Sequence, residues 1–226
     1  MTGYRTEWSL QRAMVSGARA ALPIAVAALP FGVSFGILAR EAGMGVIAPI
    51  VFSLTTFAGS AQVAAAGVLS DGGAVAAAIV AAVLLNLRYL ATGLSVAPAL
   101  RGSGPRRALE AQLAVDESWA IAQRDGRVDR GRLLGAGAVL MVAWTGGTAI
   151  GVLSGSALGD PADYGLDAMF PALFLALLVP QLRTQRARVA AVAGALIALT
   201  LTPVLPVGLP IVVAALGAVL AVAVTR

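Results

Sequence analysis

Long apolar runs alternate with short polar connections along this chain. No ionisable residue lies between Ala20 and Leu38, or between Leu133 and Gly159. Each run matches the ~20 apolar residues that cross a ~30 Å hydrocarbon core as a helix. Strands of a membrane barrel would alternate apolar and polar positions in ~10-residue segments. That alternation is absent, and the abundance of Ala, Leu and Val suits helices. The pattern predicts an all-α, polytopic transmembrane helical bundle of six to seven membrane segments. Residues 1–226 read as a single transmembrane domain.

The segments can be placed along the chain. Residues 1–17 form a polar stretch with Arg5, Trp8 and Arg12, in which Trp8 suits the membrane–water interface. Segment one spans residues 18–39 and reads as a retained helix rather than a cleaved signal. Pro30, Phe31 and Gly32 in its middle predict a kink. Segment two spans residues 45–70 and is interrupted by Thr55–Gln62, with Gly59 at the expected break. Segment three spans 73–100 and contains Asn86-Leu87-Arg88. Residues 101–132 form the main polar connection, with seven arginines and five carboxylates. Within it, Ala108–Gln123 has the pattern of an amphipathic helix with Asp116-Glu117 at its centre. Segment four (133–153) carries Gly147, Gly151 and Gly155 at four-residue spacing, after Gly131 and Gly135. Small residues at that spacing let helices approach closely in lipid, so packing is their expected role. Segment five (168–182) holds Pro171 and Pro180; segments six (189–201) and seven (207–224) are separated by Pro203, Pro206 and Pro210.

Composition supports this plan and narrows the chemistry. Hydrophobic residues make up 59% of the chain and charged residues 12%, against roughly 25% charged in soluble domains. A soluble domain of this size would have too little polar surface to cover its core. There is no cysteine and no histidine, which removes thiol chemistry, disulfides and histidine-ligated metal sites. No metal or cofactor is expected. All 16 basic residues are arginine. They sit in short connections, where they set topology rather than bind nucleic acid.

Their distribution exposes a conflict. Cytoplasmic loops carry excess arginine and lysine. The 101–132 connection and the loop with Arg183, Arg186 and Arg188 should therefore be cytoplasmic, and the loop with Asp160, Asp163 and Asp167 external. The amino terminus, with Arg5, Arg12 and Arg19 against Glu7, should be cytoplasmic too. Three simple crossings would then carry residues 101–132 to the wrong side. A re-entrant segment two resolves this, with two half-helices that enter and return on one side. Broken backbone at membrane depth is tolerated where protein or a water-filled cavity surrounds it. An external amino terminus is the alternative.

Arg88 stands fifteen residues past Gly73, which is ~22 Å along a helix. A charge at that depth costs at least ~2.5–3.5 kcal/mol on insertion scales and needs a partner or a wet pocket. Arg88 is either a clamp on a carboxylate, whose geometry a guanidinium matches, or a structural partner of Asp116 or Glu117. Three roles are open to that carboxylate pair: binding a substrate ammonium, taking up a coupling proton, or serving as exposed charge. Ser60, Gln62, Thr55 and Thr56 cluster beside Gly59. A half-helix starting there would aim free backbone N–H groups and a positive dipole end at a substrate carboxylate. Alternatively these side chains bond across helix contacts. Asn86 suits either purpose.

These residues also carry a family resemblance. Pro30-Phe31-Gly32, Phe57-Ala58-Gly59-Ser60-Ala61-Gln62, Asn86-Leu87-Arg88-Tyr89 with Ser95-x-Ala97-Pro98, and Asp116-Glu117 resemble, in order and spacing, the AzlC family of branched-chain amino acid permeases. The similarity continues through Phe170-Pro171-Ala172-Leu173 and Val179-Pro180, and so covers nearly the whole chain. Tyr89 departs from it, since many relatives have histidine there, and the role of that position stays open. The resemblance implies the large subunit of an exporter for leucine, isoleucine, valine and sometimes methionine. It also implies a small hydrophobic partner of the AzlD type in the inner (plasma) membrane, and drive from the proton-motive force. On this reading Gly59, Ser60, Gln62, Asn86 and Arg88 bind substrate, and Asp116 and Glu117 bind its ammonium or couple protons. Pro30, Gly32 and Gly59 act as hinges. No nucleotide-binding motif is present, in keeping with a secondary transporter. A passive channel on the same broken helix, or a subunit active only with its partner, are the alternatives. A membrane-embedded enzyme would need a nucleophile with its base, and none stands out.

Overall fold

The computed structural model describes residues 2–70, 72–124, 126–155 and 182–205, with a few isolated positions in the last third of the chain. Two long helices form its axis. Helix α1 (Thr2–Glu41) fuses the polar amino-terminal stretch to segment one. It runs without interruption through Pro23 and Pro30, so the expected hinge at Pro30–Gly32 does not break the helix. Its partner is segment four, which is α8 once the intervening elements are numbered (Arg130–Ser154). The Asp129 carboxylate starts that helix by accepting from the Arg132 N–H at 3.0 Å. Both helices are long and apolar enough to cross a membrane.

The glycines explain how α1 and α8 meet. A Cβ on Gly135 would overlap the Met14 carbonyl, and one on Gly151 the Val33 carbonyl. Gly32 lies in the same way against the Trp144 carbonyl, so it packs helices rather than flexing one. The order of these contacts fixes the direction. Leu10 and Ala13 meet Gly131, Met14 meets Gly135, Leu29 meets Gly147 and Val33 meets Gly151. Residue numbers rise together, so the two helices are parallel. Their amino-terminal ends lie at the same end of the bundle. At the other end the Arg40 guanidinium donates to the Val152 carbonyl.

Between them the chain makes short pieces. Segment two is split into α2 (Ile47–Thr55) and α3 (Gly59–Ser70). The break falls on residues 56–58, and Gly59 opens α3, where the second half-helix was expected to start. The turn is carried by Phe57, the one non-glycine residue with positive φ (43°) among the described residues. Helix α4 (Val75–Asn86) follows a short turn and packs on α3 as a hairpin, with Ala58, Ala61 and Ala65 against Ala78, Ala82 and Leu85. Met44 and Ala48, near the start of α2, and Leu69, near the end of α3, border one apolar cavity of about 460 Å³. Helix α3 therefore doubles back beside α2 rather than prolonging it.

Segment three also breaks. Helix α4 gives way at Leu87–Arg88 to α5 (Tyr89–Val96), with a 47° bend. The single amphipathic helix expected over Ala108–Gln123 is instead two, α6 (Gly104–Ala111) and α7 (Asp116–Ala122). The Ser118 hydroxyl stabilises the break. It accepts from the Val115 N–H at 2.9 Å and donates to the Leu113 carbonyl at 2.7 Å. The Gln112 amide leaves the helix to cap α2, donating to the Leu54 and Thr55 carbonyls at 3.1 and 2.8 Å. Asp116-Glu117 thus opens α7 rather than sitting mid-helix. Among the described residues, a two-residue antiparallel ladder, β1 (Gln123–Arg124) with β2 (Arg127–Val128), is the exception to an all-α plan. Helix α9 (Gln185–Leu201) begins four residues before expected segment six, where Thr184 accepts from the Ala187 N–H at 3.1 Å. Segments five and seven and the acidic loop lie largely outside the described residues.

Candidate functional site

A cavity of about 80 Å³ opens between α1, α3, α5, α7 and α8. Its apolar wall comes from Ile24, Ala27, Ala28 and Phe31 of α1, from Phe57 and Val115, and from Leu140 and Trp144 of α8. Its polar side holds Gly59 and Ser60, Arg88 and Tyr89, and Asp116 and Glu117. Each polar pair sits where a helix starts or bends. Gly59 and Ser60 are the first residues of α3, whose early N–H groups are free of intrahelical partners. The Ser60 hydroxyl oxygen is buried here without a hydrogen-bond partner. Arg88 stands at the α4–α5 bend. Asp116 and Glu117 occupy the first turn of α7, where negative charge suits the helix dipole.

The charges face one another. Arg88 Nη1 lies 3.2 Å from Asp116 Oδ2, with each side chain a little over a quarter exposed (28% and 27%). Arg88 Nη2 donates to the Tyr89 hydroxyl at 3.2 Å, and its guanidinium carbon lies 4.9 Å from the centre of the Tyr89 ring. Tyr89 thus answers to the arginine through both its hydroxyl and its ring. The cavity presents a cation, a carboxylate pair and a helix amino end on one side and hydrocarbon on the other. That combination can hold a small zwitterion with an aliphatic group.

The remaining expected site residues are elsewhere. Gln62 is fully buried and does not line the cavity. Its carbonyl oxygen accepts from the Trp144 indole N–H at 2.9 Å, and its amide donates to Ser53 Oγ at 2.9 Å. Asn86 borders the larger cavity between α2, α3 and α4, and its carbonyl oxygen is buried without a partner. Pro30 and Gly32 are absent from the lining.

Sequence reasoning gave no site role to Trp144, Phe57 or Glu110. Trp144, Thr145 and Thr148 are the polar-capable residues in the middle of a largely apolar, glycine-rich helix, and that was the available signal. Glu110 anchors the polar connection. Arg130 Nε donates to it at 2.8 Å while Arg130 Nη2 reaches its other oxygen, Arg106 Nε donates at 3.3 Å and the Arg101 N–H at 3.3 Å. Arg130 leads these donors in holding the carboxyl down to about 2 from 4.5.

Known proteins resemble this chain over most of its length. Residues 23–158 match the family model described as AzlC protein. An uncharacterized membrane protein of Archaeoglobus fulgidus is 36% identical over 179 residues, covering 78% of this chain and 79% of its own. The branched-chain amino acid transport protein AzlC of Bacillus subtilis is 29% identical over 177 residues, 76% of this chain and 69% of its own. The inner membrane protein YgaZ of Escherichia coli is 28% identical over 203 residues, 83% and 81% respectively. No solved structure matches.

Proposed function

Because the chain belongs to the AzlC family, a family with a named membrane transport protein, we propose that it is the large subunit of a secondary exporter for branched-chain amino acids. The observation that carries this is the cavity in which Arg88 and Asp116 stand 3.2 Å apart beside hydrocarbon. The substrate carboxylate goes to Arg88 and the α3 amino end, the ammonium to Asp116, and the side chain to the apolar wall. Glu117, next to Asp116 in the same lining, is the carboxyl that takes up the coupling proton. Drive comes from the proton-motive force, and a small hydrophobic AzlD-type subunit completes the complex. The test is leucine flux in proteoliposomes, with and without that subunit and an imposed pH gradient. Flux that needs the gradient is expected. No gradient-dependent flux of any branched-chain amino acid, with the subunit present, would refute the proposal.

The same reading sets the topology of a multi-pass inner-membrane protein with a cytoplasmic amino terminus. Parallel packing of α1 and α8 supports placing that terminus and the 101–132 connection on one side, so the intervening chain makes a net single crossing. The bent α4–α5 pair supplies it. Helices α2 and α3 have 9 and 12 residues, or about 13 and 18 Å; each reaches about half way through a ~30 Å core, and together they re-enter. A cysteine at position 71 should be labelled from outside in cells whose amino terminus is cytoplasmic. Labelling from the cytoplasm would sink the re-entrant topology.

A further inference from the structure

We propose that Trp144 sets the largest side chain the cavity accepts, and that Gln62 acts on substrate choice only by positioning Trp144. The proposal rests on the cavity being the substrate site. At about 80 Å³ the cavity is roughly half the ~150 Å³ apolar void that holds a benzene ring. At that size the lining limits what enters, and its bulkiest member decides how large a side chain can be taken. Trp144 is the bulkiest part of its lining and is 7% exposed. One face of the indole stacks on Phe35, with centroids 6.4 Å apart and planes 18° apart.

Its edge is fixed by a closed ring of hydrogen bonds among fully buried groups. The indole N–H can only donate, so the Gln62 carbonyl oxygen faces it, at 2.9 Å. The Gln62 amide then donates to Ser53 Oγ at 2.9 Å. Thr148 Oγ1 donates to the Trp144 carbonyl at 2.9 Å. Its proton is thereby used, so Ser53 must donate to Thr148 across their 2.8 Å contact. The ring starts and ends on Trp144, and each proton in it has one direction. Ser53, Gln62 and Thr148 are all 0% exposed. Gln62 has no polar atom turned to a ligand; it transmits position. Ser53 lies on α2, Gln62 on α3 and the other two on α8, so the ring also ties the doubled-back pair to the bundle axis.

The test compares leucine with phenylalanine in the same flux assay, because a ratio is insensitive to the amount of folded protein. Trp144→Leu should lower the leucine preference by about tenfold or more, the scale on which pockets discriminate size. Gln62→Leu should shift the ratio in the same direction by raising the KM for leucine. Gln62→Glu keeps an oxygen for the indole and, protonated, a donor for Ser53, and should restore the ratio. A second readout does not need transport. In a Trp8→Phe, Trp119→Phe background, Gln62→Leu should lower the fluorescence anisotropy of Trp144. An unchanged ratio in Trp144→Leu overturns the size limit. An unchanged ratio or anisotropy in Gln62→Leu overturns the positioning role. A wild-type chain that moves no aliphatic amino acid refutes the transport proposal instead, and leaves the anisotropy to judge Gln62.

Discussion

Replacing Glu110 by glutamine isolates the energy of the polar anchor, because shape is kept and charge is lost. Glu110 is 7% exposed and Arg130 holds it with two donors. Its carboxyl falls from 4.5 to about 2 on folding. At 1.36 kcal/mol per unit this is about 3 kcal/mol of stability carried by the ionised form. The folded value lies below the unfolded one. The contribution is therefore complete above pH ~5 and declines as the pH falls through 4.5 toward 2. Denaturant unfolding in mixed micelles, followed by tryptophan fluorescence, should show Glu110→Gln less stable than wild type by about 2–3 kcal/mol at pH 7. At pH 3 the gap should shrink to about half or less, because the wild type is losing the same charge. Other carboxylates titrate alike in both proteins and cancel. A variant as stable as wild type at pH 7, or a gap unchanged between pH 7 and pH 3, would refute the anchor. Arg130→Ala at neutral pH should be worse than Glu110→Gln, since it leaves a buried carboxylate without its main partner.

Three further outcomes follow from the same geometry. Arg88→Ala should abolish leucine flux while membrane insertion and yield stay normal, and Arg88→Lys should recover only part, because the paired donors of the guanidinium are gone; full flux in Arg88→Ala would remove it from the site. Gly135→Val should prevent α1 and α8 from closing, since its Cβ already meets the Met14 carbonyl, and should show as loss of the monodisperse peak on size-exclusion chromatography; a monodisperse variant would argue against this contact. Asn86→Ala should keep near-wild-type leucine affinity, because Asn86 borders the cavity away from Arg88 and Asp116; a tenfold loss would return it to the binding site.

The sequence carried some of this clearly and hid the rest for a physical reason. The break in segment two was readable, because Thr, Gly, Ser and Gln interrupt it; the bend at Asn86-Leu87-Arg88 was not, and segment three read as one continuous helix. Close packing was also readable, because glycine at four-residue spacing in an apolar run has little other use. Side-chain facing was not. In α3 and α4 nearly every position is apolar or small, so helical periodicity cannot say which face meets the protein. Gln62 and Asn86 therefore looked equivalent to Ser60 and Arg88, and only packing separated them. Gln62 turns to Trp144, and Asn86 turns to the groove behind α2.

The direction of packing was hidden in the same way, and it matters most for topology. Glycine spacing is symmetric along a helix and says nothing about parallel or antiparallel contact. The Arg distribution suggested that the amino terminus and the 101–132 connection share a side, at odds with three simple crossings. Parallel contact of α1 with α8 reaches that shared side from packing alone, without reference to charge. The two lines meet at one requirement: the chain between Glu41 and Arg130 must return to the end from which α1 started. A doubled-back α2–α3 pair followed by the bent α4–α5 pair, taken as the proposed single crossing, meets it. That path also delivers the start of α3 and the bend at Arg88 to the same cavity as the first turn of α7.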